Sequence, residues 1–513
     1  MGTPVLRRRE TGTTSKKEYG QRMAWDPGFE VAFNPRSVAV LGASTKERGG
    51  GNGFIRGMQE MEYEGKLYPI NPNAEEIMGY KCYHSLADVP EVPDLVIVAV
   101  GAGRAEQALE ECIAKGARNI HMFTAGFAET GEEEGASLAE RLREVARRGR
   151  LNIVGPNCMG IYSPRGRISP WGKLPTEVGP IAMITQSGAL GSEFVRLAPD
   201  HGLLMSKVIS YGNGYVLDCT DYLEYLERDP DTKYIAMYLE GVQDGAKLLR
   251  MVKRISPRKP IVIWKGGLTA VGAKAAASHT GALAGQDAVW GAFFAQSGAV
   301  RVDSTDEMVD VLQALVRLPP CAGRGVAIMG GAGGTSVSAA DICARAGLAV
   351  PAISEDIQRE LRTFIRVAGT SVRNPLDVGM QLRGPEDFLR VLELVAEDPG
   401  IDIIMMVLYP FMRRFVGRKW MRKVMDDLVK FAQTAGSHKP FLVAMRNPAE
   451  NLEAEKVRLR ITQDLIAAGI PVFRNVERAC RAIYKFTAYY RALEDAQVPQ
   501  ARAGEVAAHC HAG

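Results

Sequence analysis

The chain has 513 residues, of which 46% are hydrophobic and 24% charged, and its formal net charge is +4. At about 100–200 residues per domain, this length predicts three domains. The composition is ordinary for a soluble globular protein, and the charge is too small to indicate binding to nucleic acid or to an anionic membrane surface.

The eight cysteines are scattered along the chain and form no CxxC pair. This pattern is typical of reduced cytosolic thiols and indicates neither a disulfide framework nor a zinc site. No apolar stretch approaches the about 18–20 residues that span a bilayer, and the N-terminus lacks the apolar core of a signal peptide. We therefore expect a cytoplasmic protein without a metal site, preceded by a flexible, basic N-terminal arm over residues 1–24.

Short β-branched runs alternate with helical patterns along the chain, which predicts parallel sheets with crossover helices. We expect an α/β protein of three doubly wound, Rossmann- or flavodoxin-like parallel-sheet domains, covering residues 25–160, 161–320 and 321–495, with a tail over 496–513. The predicted strands are Ser37–Leu41, Leu67–Ile70, Asp94–Val100, Asn119–Phe123 and Leu151–Val154 in the first domain; Pro180–Thr185, Lys207–Ser210, Tyr234–Leu239, Pro260–Lys265 and Ala299–Val302 in the second; and Gly325–Met329, Ile401–Leu408, Pro440–Ala444 and Pro471–Phe473 in the third.

Three strand-to-helix turns are rich in small residues. The first runs from Gly42-Ala43-Ser44 to Gly49–Gly53, the second holds Ser187-Gly188, and the third holds Gly333-Gly334-Thr335. Free N–H groups at a helix start favour an anion such as phosphate. The first turn lacks GxGxxG spacing and fits a plain turn equally well, and Ser187 also fits a simple helix cap.

Two residues have side chains suited to group transfer. His279 lies among small residues, where its imidazole could act as base, ligand or nucleophile, or could be structural. Glu240 follows the predicted strand Tyr234–Leu239, at the sheet edge where parallel sheets place their sites, although many such acids are simply solvated.

The order and separation of these motifs resemble the ADP-forming (NDP-forming) acyl-CoA synthetase family, related to the α chain of succinyl-CoA synthetase. The resemblance covers about residues 34–493, nearly all of the expected ordered chain. Its most specific element is the Ser278-His279-Thr280-Gly281 loop. The other matching runs are Ser37–Ser44, Leu67–Pro72, Gly79–Tyr83, Thr124–Glu129, Gly155–Gly160 and Met183–Gly191.

The resemblance implies a reaction and a role for each motif. Carboxylate, CoA and ATP would interconvert with acyl-CoA, ADP and phosphate through an acyl phosphate and a phosphohistidine. His279 would carry the phosphoryl group and Glu240 would orient its ring, while Ser187, Gly188, Gly333, Gly334 and Thr335 would bind the phosphoryl oxygens at two helix starts. The implied CoA-binding residues are Gly42, Ala43, Ser44, Asn71, Pro72, Val100, Gly126 and Phe127.

The family also uses an ATP-grasp module, for which the three predicted domains leave no place. The resemblance therefore implies a separate ATP-grasp β subunit that holds ATP or ADP and Mg²⁺, in a heterotetramer. The chain departs from the family at Val216, where an acidic residue is common, and at Gly101-Ala102-Gly103, where a proline-containing turn is more usual. These departures leave the acyl substrate unnamed.

Two other functions remain open, and a third is disfavoured. The chain could be an acyl or carbamoyl transferase that works without an ATP-grasp partner, although such an enzyme would have less need of His279. It could be a non-catalytic CoA-binding protein, which would form no phosphoenzyme. A nicotinamide-dependent oxidoreductase is disfavoured, because no acidic ribose ligand follows the first glycine turn at about 20 residues.

Overall fold

The computed structural model describes residues 28–47, 49–269, 271–272, 274, 287–330, 333–366, 370–377, 386–409, 413–434, 438–446 and 451–497. The predicted N-terminal arm, nearly all of the predicted tail and His279 lie outside these residues. The expected α/β fold is confirmed: helices cover three sheets that are built mainly from parallel strands.

The first sheet has strand order β2-β1-β5-β6-β7, and every neighbouring pair is parallel. All five residues of β1 are buried, as expected for a sheet covered on both faces. A short antiparallel hairpin, β3 and β4, follows β2. The elements are β1 Ser37–Leu41, α1 Asn52–Glu60, β2 Lys66–Ile70, β3 Glu76–Ile77, β4 Tyr80–Lys81, β5 Leu95–Val98, α2 Ala105–Lys115, β6 Asn119–Met122, α3 Glu133–Gly149 and β7 Asn152–Val154.

The second sheet has strand order β13-β12-β11-β9-β10-β8. Its edge strand β8 is antiparallel to β10 and was not predicted, because three residues beginning with glycine give no strand pattern. The other pairs are parallel, as predicted. The elements are β8 Gly160–Tyr162, β9 Ile181–Thr185, α4 Gly188–Asp200, β10 Met205–Ser210, α5 Cys219–Arg228, β11 Tyr234–Leu239, α6 Gly245–Ile255, β12 Ile261–Lys265, α7 Asp287–Ser297, β13 Val300–Val302 and α8 Thr305–Arg317.

The third sheet has the parallel order β14-β15-β16-β17. Strands β15 and β16 are buried along their whole length, which explains their unbroken apolar sequences. The elements are β14 Val326–Met329, α9 Gly334–Arg345, α10 Glu355–Phe364, α11 Glu386–Glu397, β15 Ile403–Leu408, α12 Arg413–Gln433, β16 Phe441–Met445, α13 Leu452–Ala467, β17 Val472–Phe473 and α14 Val476–Gln497.

The second and third sheets share one hydrophobic core, which helices α4, α8, α9 and α14 fill between them. Polar contacts reinforce this junction: the Arg478 guanidinium donates to the Asp310 carboxylate at 2.6 Å, and the Tyr489 hydroxyl donates to the Ser256 carbonyl at 2.6 Å. Rigid packing of this kind fixes the carboxyl ends of both sheets relative to each other.

Two observations concern membrane-spanning helices and the cysteine and metal-ligating side chains. Among the described helices, none combines the length and apolar character required to cross a membrane. The seven cysteines within the described ranges carry free thiols, and the described residues include no cluster of three or more metal-ligating side chains.

Candidate active site

The carboxyl edge of the second sheet brings three polar side chains together. Gln186 follows β9, Glu240 follows β11 and Lys265 ends β12, and these three strands are adjacent in the sheet. All three residues are buried. Neighbouring parallel strands thus deliver an amide, a carboxylate and an ammonium group to one small region, the edge where open α/β sheets bind ligands.

The Glu240 carboxylate is held in place but keeps one oxygen free. The residue is 8% exposed, and its Oε1 accepts a hydrogen bond from the Tyr238 hydroxyl at 3.3 Å. Burial raises the pKa of Tyr238, so this hydroxyl remains a donor at neutral pH. The other oxygen, Oε2, is buried and has no partner among the described residues. A buried carboxylate oxygen without a donor can accept the N–H of an approaching group.

The backbone around Glu240 is clamped from both sides. Gln186 Oε1 accepts the N–H groups of Glu240, at 2.5 Å, and of Gly241, at 2.9 Å. The Glu240 carbonyl accepts a hydrogen bond from Lys265 Nζ at 2.8 Å. The side chain therefore projects from a peptide segment whose donors and acceptor are already satisfied, which fixes its direction.

Helix α4 begins beside this cluster with unsatisfied backbone donors. The Ser187 hydroxyl accepts the Leu190 N–H at 3.3 Å, so the side chain is a helix cap, as the simpler interpretation proposed. The N–H groups of Gly188 and Ala189 have no acceptor among the described residues. These two donors, at the positive end of the helix, can receive anionic oxygens.

Glycine is required at position 188 by close packing. A Cβ atom there would lie 2.5 Å from Met159 Cγ, in the turn that joins the first two sheets. The predicted rigid turn Gly155–Gly160 thus packs directly on the start of α4. Glycine at position 188 therefore lets this turn close one side of the helix start.

The start of α9 is arranged differently from that of α4. Gly333 has φ +42°, and its N–H donates to the Asp377 carboxylate at 3.1 Å. The Gly334 N–H has no acceptor among the described residues. The joint action of the two helix starts on one phosphoryl group, and the part of Thr335 in it, stay predictions.

The predicted phosphohistidine loop lies outside the described residues, but its two ends do not. The loop follows Lys265, the last residue of β12, and the Gly266 N–H donates to the Leu239 carbonyl at 2.9 Å, next to Glu240. After the loop, α7 begins at Asp287, and its Trp290 ring lies 5.2 Å from Lys265 Nζ. Both ends of the loop are therefore anchored at the edge that carries Glu240.

The predicted CoA-binding residues gather at the carboxyl edge of the first sheet, where they follow β1, β2, β5 and β6. The Asn71 side chain donates to the Ala43 carbonyl at 2.7 Å, which ties two of these loops together. Gly42 has φ +88°, and a Cβ there would lie 2.4 Å from the Ala99 carbonyl oxygen. The structure thus brings together Gly42, Ala43, Ser44, Asn71, Pro72, Val100 and Gly126 on adjacent loops.

Phe127 lies in the same region, but its side chain is fully buried. Its N–H and that of Gly126 donate to Glu129 Oε1, at 3.1 and 2.7 Å. Asn213 of the second domain donates to Glu129 Oε2 at 2.7 Å. Phe127 therefore shapes this loop from inside, and its contact with CoA stays a prediction.

Sequence reasoning did not assign roles to Gln186, Lys265, Glu129 or Asp377. Gln186 and Lys265 each stand within one residue of a strand end at the functional edge, and that position was the available signal. No local sequence feature indicates a role for Asp377, because its contact is with Gly333, 44 residues away in the chain.

Sequence models of three domain families match the chain in order. They are a CoA binding domain over residues 36–164, a succinyl-CoA ligase like flavodoxin domain over 178–315 and a ligase-CoA domain over 326–492. These matches, in this order along three mainly parallel sheets, place the chain in the CoA-ligase class of proteins.

Two similar proteins show to which family within this class the chain belongs. The chain is 34% identical to subunit alpha of acetate–CoA ligase [ADP-forming] II from Pyrococcus furiosus, over 89% of this chain and 96% of that subunit. It is 35% identical to acetate–CoA ligase [ADP-forming] I from Archaeoglobus fulgidus, over 92% of this chain and 66% of that longer protein. The chain belongs to the ADP-forming acyl-CoA synthetase family.

A solved structure agrees with this assignment. Acetyl-coenzyme A synthetase 1 from Ca. Korarchaeum cryptofilum, in complex with phosphate and ADP, superposes with a TM-score of 0.78 at 30% identity. The match covers 92% of this chain and 99% of that chain. The arrangement of all three sheets is therefore shared with a member of the family.

Proposed function

We propose that the chain is the CoA-binding catalytic part of an ADP-forming acyl-CoA synthetase and that His279 carries the phosphoryl group. The observation that carries the proposal is the buried Glu240 Oε2, which has no donor among the described residues, beside two N–H groups at the start of α4 that have no acceptor within the same ranges. A phosphorylated imidazole can donate its ring N–H to such a carboxylate oxygen, and its phosphoryl oxygens can accept hydrogen bonds from such backbone N–H groups.

The reaction proceeds in two transfers on this chain. Phosphate attacks the acyl-CoA carbonyl carbon, the carbon–sulfur bond breaks, and the CoA thiolate takes up a proton. One ring nitrogen of His279 then attacks the phosphorus of the acyl phosphate, and the carboxylate leaves with the electrons of the acyl oxygen–phosphorus bond. In the opposite direction, the same steps make acyl-CoA from the carboxylate.

Glu240 controls the ring that takes part. Its Oε2 accepts the N–H of the second ring nitrogen, which selects the tautomer with a free electron pair on the attacking nitrogen. The carboxylate also stabilises the positive charge that develops on the ring during transfer. The N–H groups of Gly188 and Ala189 stabilise the phosphoryl oxygens without titrating, so they keep this role over a wide pH range.

The first domain fits CoA at the edge already described. Glycine at position 42 lets this turn pack against the Ala99 carbonyl, and the backbone of the turn would face the phosphate or pantetheine group of CoA. The Asn71–Ala43 hydrogen bond holds the turn in this shape. CoA bound here supplies the thiol that attacks the acyl group.

The nucleotide requires a further module. We propose that an ATP-grasp subunit binds ADP or ATP with Mg²⁺ and exchanges the phosphoryl group with His279, in an α/β hetero-oligomer such as a heterotetramer. The Pyrococcus furiosus relative, which is named as a subunit alpha, supports this division. Free thiols and phosphorylated substrates are consistent with a cytoplasmic setting.

The test is phosphoryl labelling of the purified chain with ³²P-acetyl phosphate, or with acetyl-CoA plus ³²P-phosphate. We expect a base-stable, acid-labile label that is absent from His279→Ala. Addition of ADP and an ATP-grasp subunit should move the label to ATP. A chain that takes up no label, or one whose label persists in His279→Ala, would contradict the proposal; CoA binding without label would favour a non-catalytic CoA-binding protein.

A further inference from the structure

Lys265 is a buried ammonium group at the functional edge of the second sheet. The residue is 3% exposed, and its Nζ donates to the carbonyl oxygens of Glu240 and Gly266. The Trp290 ring covers it, with 5.2 Å between Nζ and the ring centroid. Two carbonyl dipoles and an aromatic face solvate the charge partly, but none of them carries a negative charge.

Lys265 has no carboxylate counterion among the described residues. The neighbouring region offers a contrast: Lys207 on β10 is equally buried, and its Nζ lies 2.6 Å from the Asp229 carboxylate. The segment 270–286, which follows Lys265 and contains His279, includes no aspartate or glutamate. A buried charge is normally paired, so an unpaired one at a site edge suggests that its counterion arrives with a ligand.

The electrostatic surroundings of Lys265 agree with this interpretation. Burial lowers the pKa of the Lys265 ammonium, and the negative charge of Glu240 partly opposes this effect. No ion pair joins Lys265 and Glu240 among the described residues, so in the empty site Glu240 offsets the ammonium charge only in part. When a doubly negative phosphoryl group enters, Glu240 adds to the negative charge, and the buried ammonium group of Lys265, which donates to the Glu240 carbonyl, opposes it.

We propose that Lys265 is a positioning residue for the phosphorylated state: it holds the Glu240 peptide by its carbonyl and supplies the positive charge that stabilises the phosphoryl group on the histidine loop. This inference rests on the proposed function and adds a residue to it. The transfer itself is unchanged, because Lys265 gives up no proton and forms no bond to phosphorus. Its effect is on how much phosphoenzyme accumulates and in which ionic form.

Three variants separate the two parts of this role. Lys265→Gln keeps a donor for the two carbonyls and removes the charge, whereas Lys265→Met removes both. Lys259→Gln is the matched control, because Lys259 stands before the opposite end of the same strand and its Nζ also donates to two backbone carbonyls, of Leu226 and Asp229. Thermal unfolding and CoA binding of each full-length variant establish that it is folded.

The first readout is the saturating level of acid-labile label from ³²P-acetyl phosphate. We expect a loss of about tenfold in Lys265→Gln, because one opposite charge near an anion is worth about one pKa unit or more. Lys265→Met should lose more, since the hydrogen bond to the Glu240 carbonyl is then lost as well. Wild-type labelling in Lys265→Gln and Lys265→Met, or an equal loss in Lys259→Gln, would overturn the proposal.

The second readout does not depend on the amount of phosphoenzyme. In ³¹P NMR titrations, the phosphoryl group of Lys265→Gln should titrate about one pH unit higher than that of the wild type, because a nearby cation favours the dianion. An unchanged titration in a folded, labelled variant would contradict the charge role. This failure is distinct from failure of the proposed function, which would appear as wild-type protein without His279-dependent label.

Discussion

Replacing Gln186 with leucine tests whether its amide clamps the Glu240 segment. The substitution keeps the volume nearly constant but removes Oε1, the acceptor of the Glu240 and Gly241 N–H groups. Both hydrogen bonds are buried, so both donors are left without a partner. At about 1–3 kcal/mol for each buried unsatisfied donor, the free energy of unfolding should fall by about 2–6 kcal/mol.

This loss is large compared with the total stability of a domain, about 5–15 kcal/mol. The assay is guanidinium unfolding followed by tryptophan fluorescence, with phosphoryl labelling measured under native conditions. We expect Gln186→Leu to unfold at clearly lower denaturant and to accept much less label, because Glu240 is no longer held.

Gln313→Leu is the matched control for this experiment. Gln313 is also fully buried, but its Oε1 accepts one long hydrogen bond, from the Val472 N–H at 3.4 Å. Its replacement leaves one buried N–H without a partner, so it should cost about 1–3 kcal/mol, half of the loss expected for Gln186→Leu, and leave labelling unchanged. If Gln186→Leu matched this control in both stability and labelling, the clamp would have no function.

Three further substitutions test the site and the fold. Glu240→Gln should reduce the rate of His279 labelling by about 10²–10³-fold, as expected for loss of an orienting carboxylate, with stability nearly unchanged; wild-type labelling rates would contradict the role. Gly42→Ala places a Cβ 2.4 Å from the Ala99 carbonyl oxygen, at a residue whose φ is +88°. Because this distorts the turn, calorimetric titration should show that the affinity for CoA is reduced at least tenfold. An unaltered affinity would show that this turn does not contribute to the CoA site. Burial lowers the pKa of the His121 imidazole to about 4, whereas its ordinary value is 6.5. At a pH below 6.5, the unfolded chain therefore binds a proton at this position more readily than the folded chain does. The free energy of unfolding should therefore fall by about 3 kcal/mol as the pH drops from 6.5 towards 4. This loss should be absent from His121→Phe when unfolding is measured as a function of pH. The same dependence of stability on pH in both proteins would refute the prediction.

The fold could be predicted from the sequence because its strands are buried on both faces. Runs such as Ser37–Leu41 and Tyr234–Leu239 are continuously apolar, and the structure gives both strands the predicted bounds. Strand β8 was missed, because its pairing with β10 depends on contacts some 50 residues apart in the chain that no local pattern encodes.

The candidate site was predictable in part for a similar reason. Strand ends and small-residue turns are local features, so the sequence could place Glu240 and the start of α4 at the same type of edge. The contacts that hold the site are long-range: Gln186 reaches Glu240 across 54 residues, and Asp377 reaches Gly333 across 44. Only the folded sheet order makes these partners neighbours.

The central claim is that one histidine carries the phosphoryl group, and mass spectrometry can localise it directly. The chain should be phosphorylated with acetyl phosphate, digested at alkaline pH and fragmented by electron transfer, which preserves phosphohistidine. We expect a single phosphorylated peptide with the added mass on His279. A phosphoryl group on any other residue, or an unmodified His279 in active protein, would contradict it.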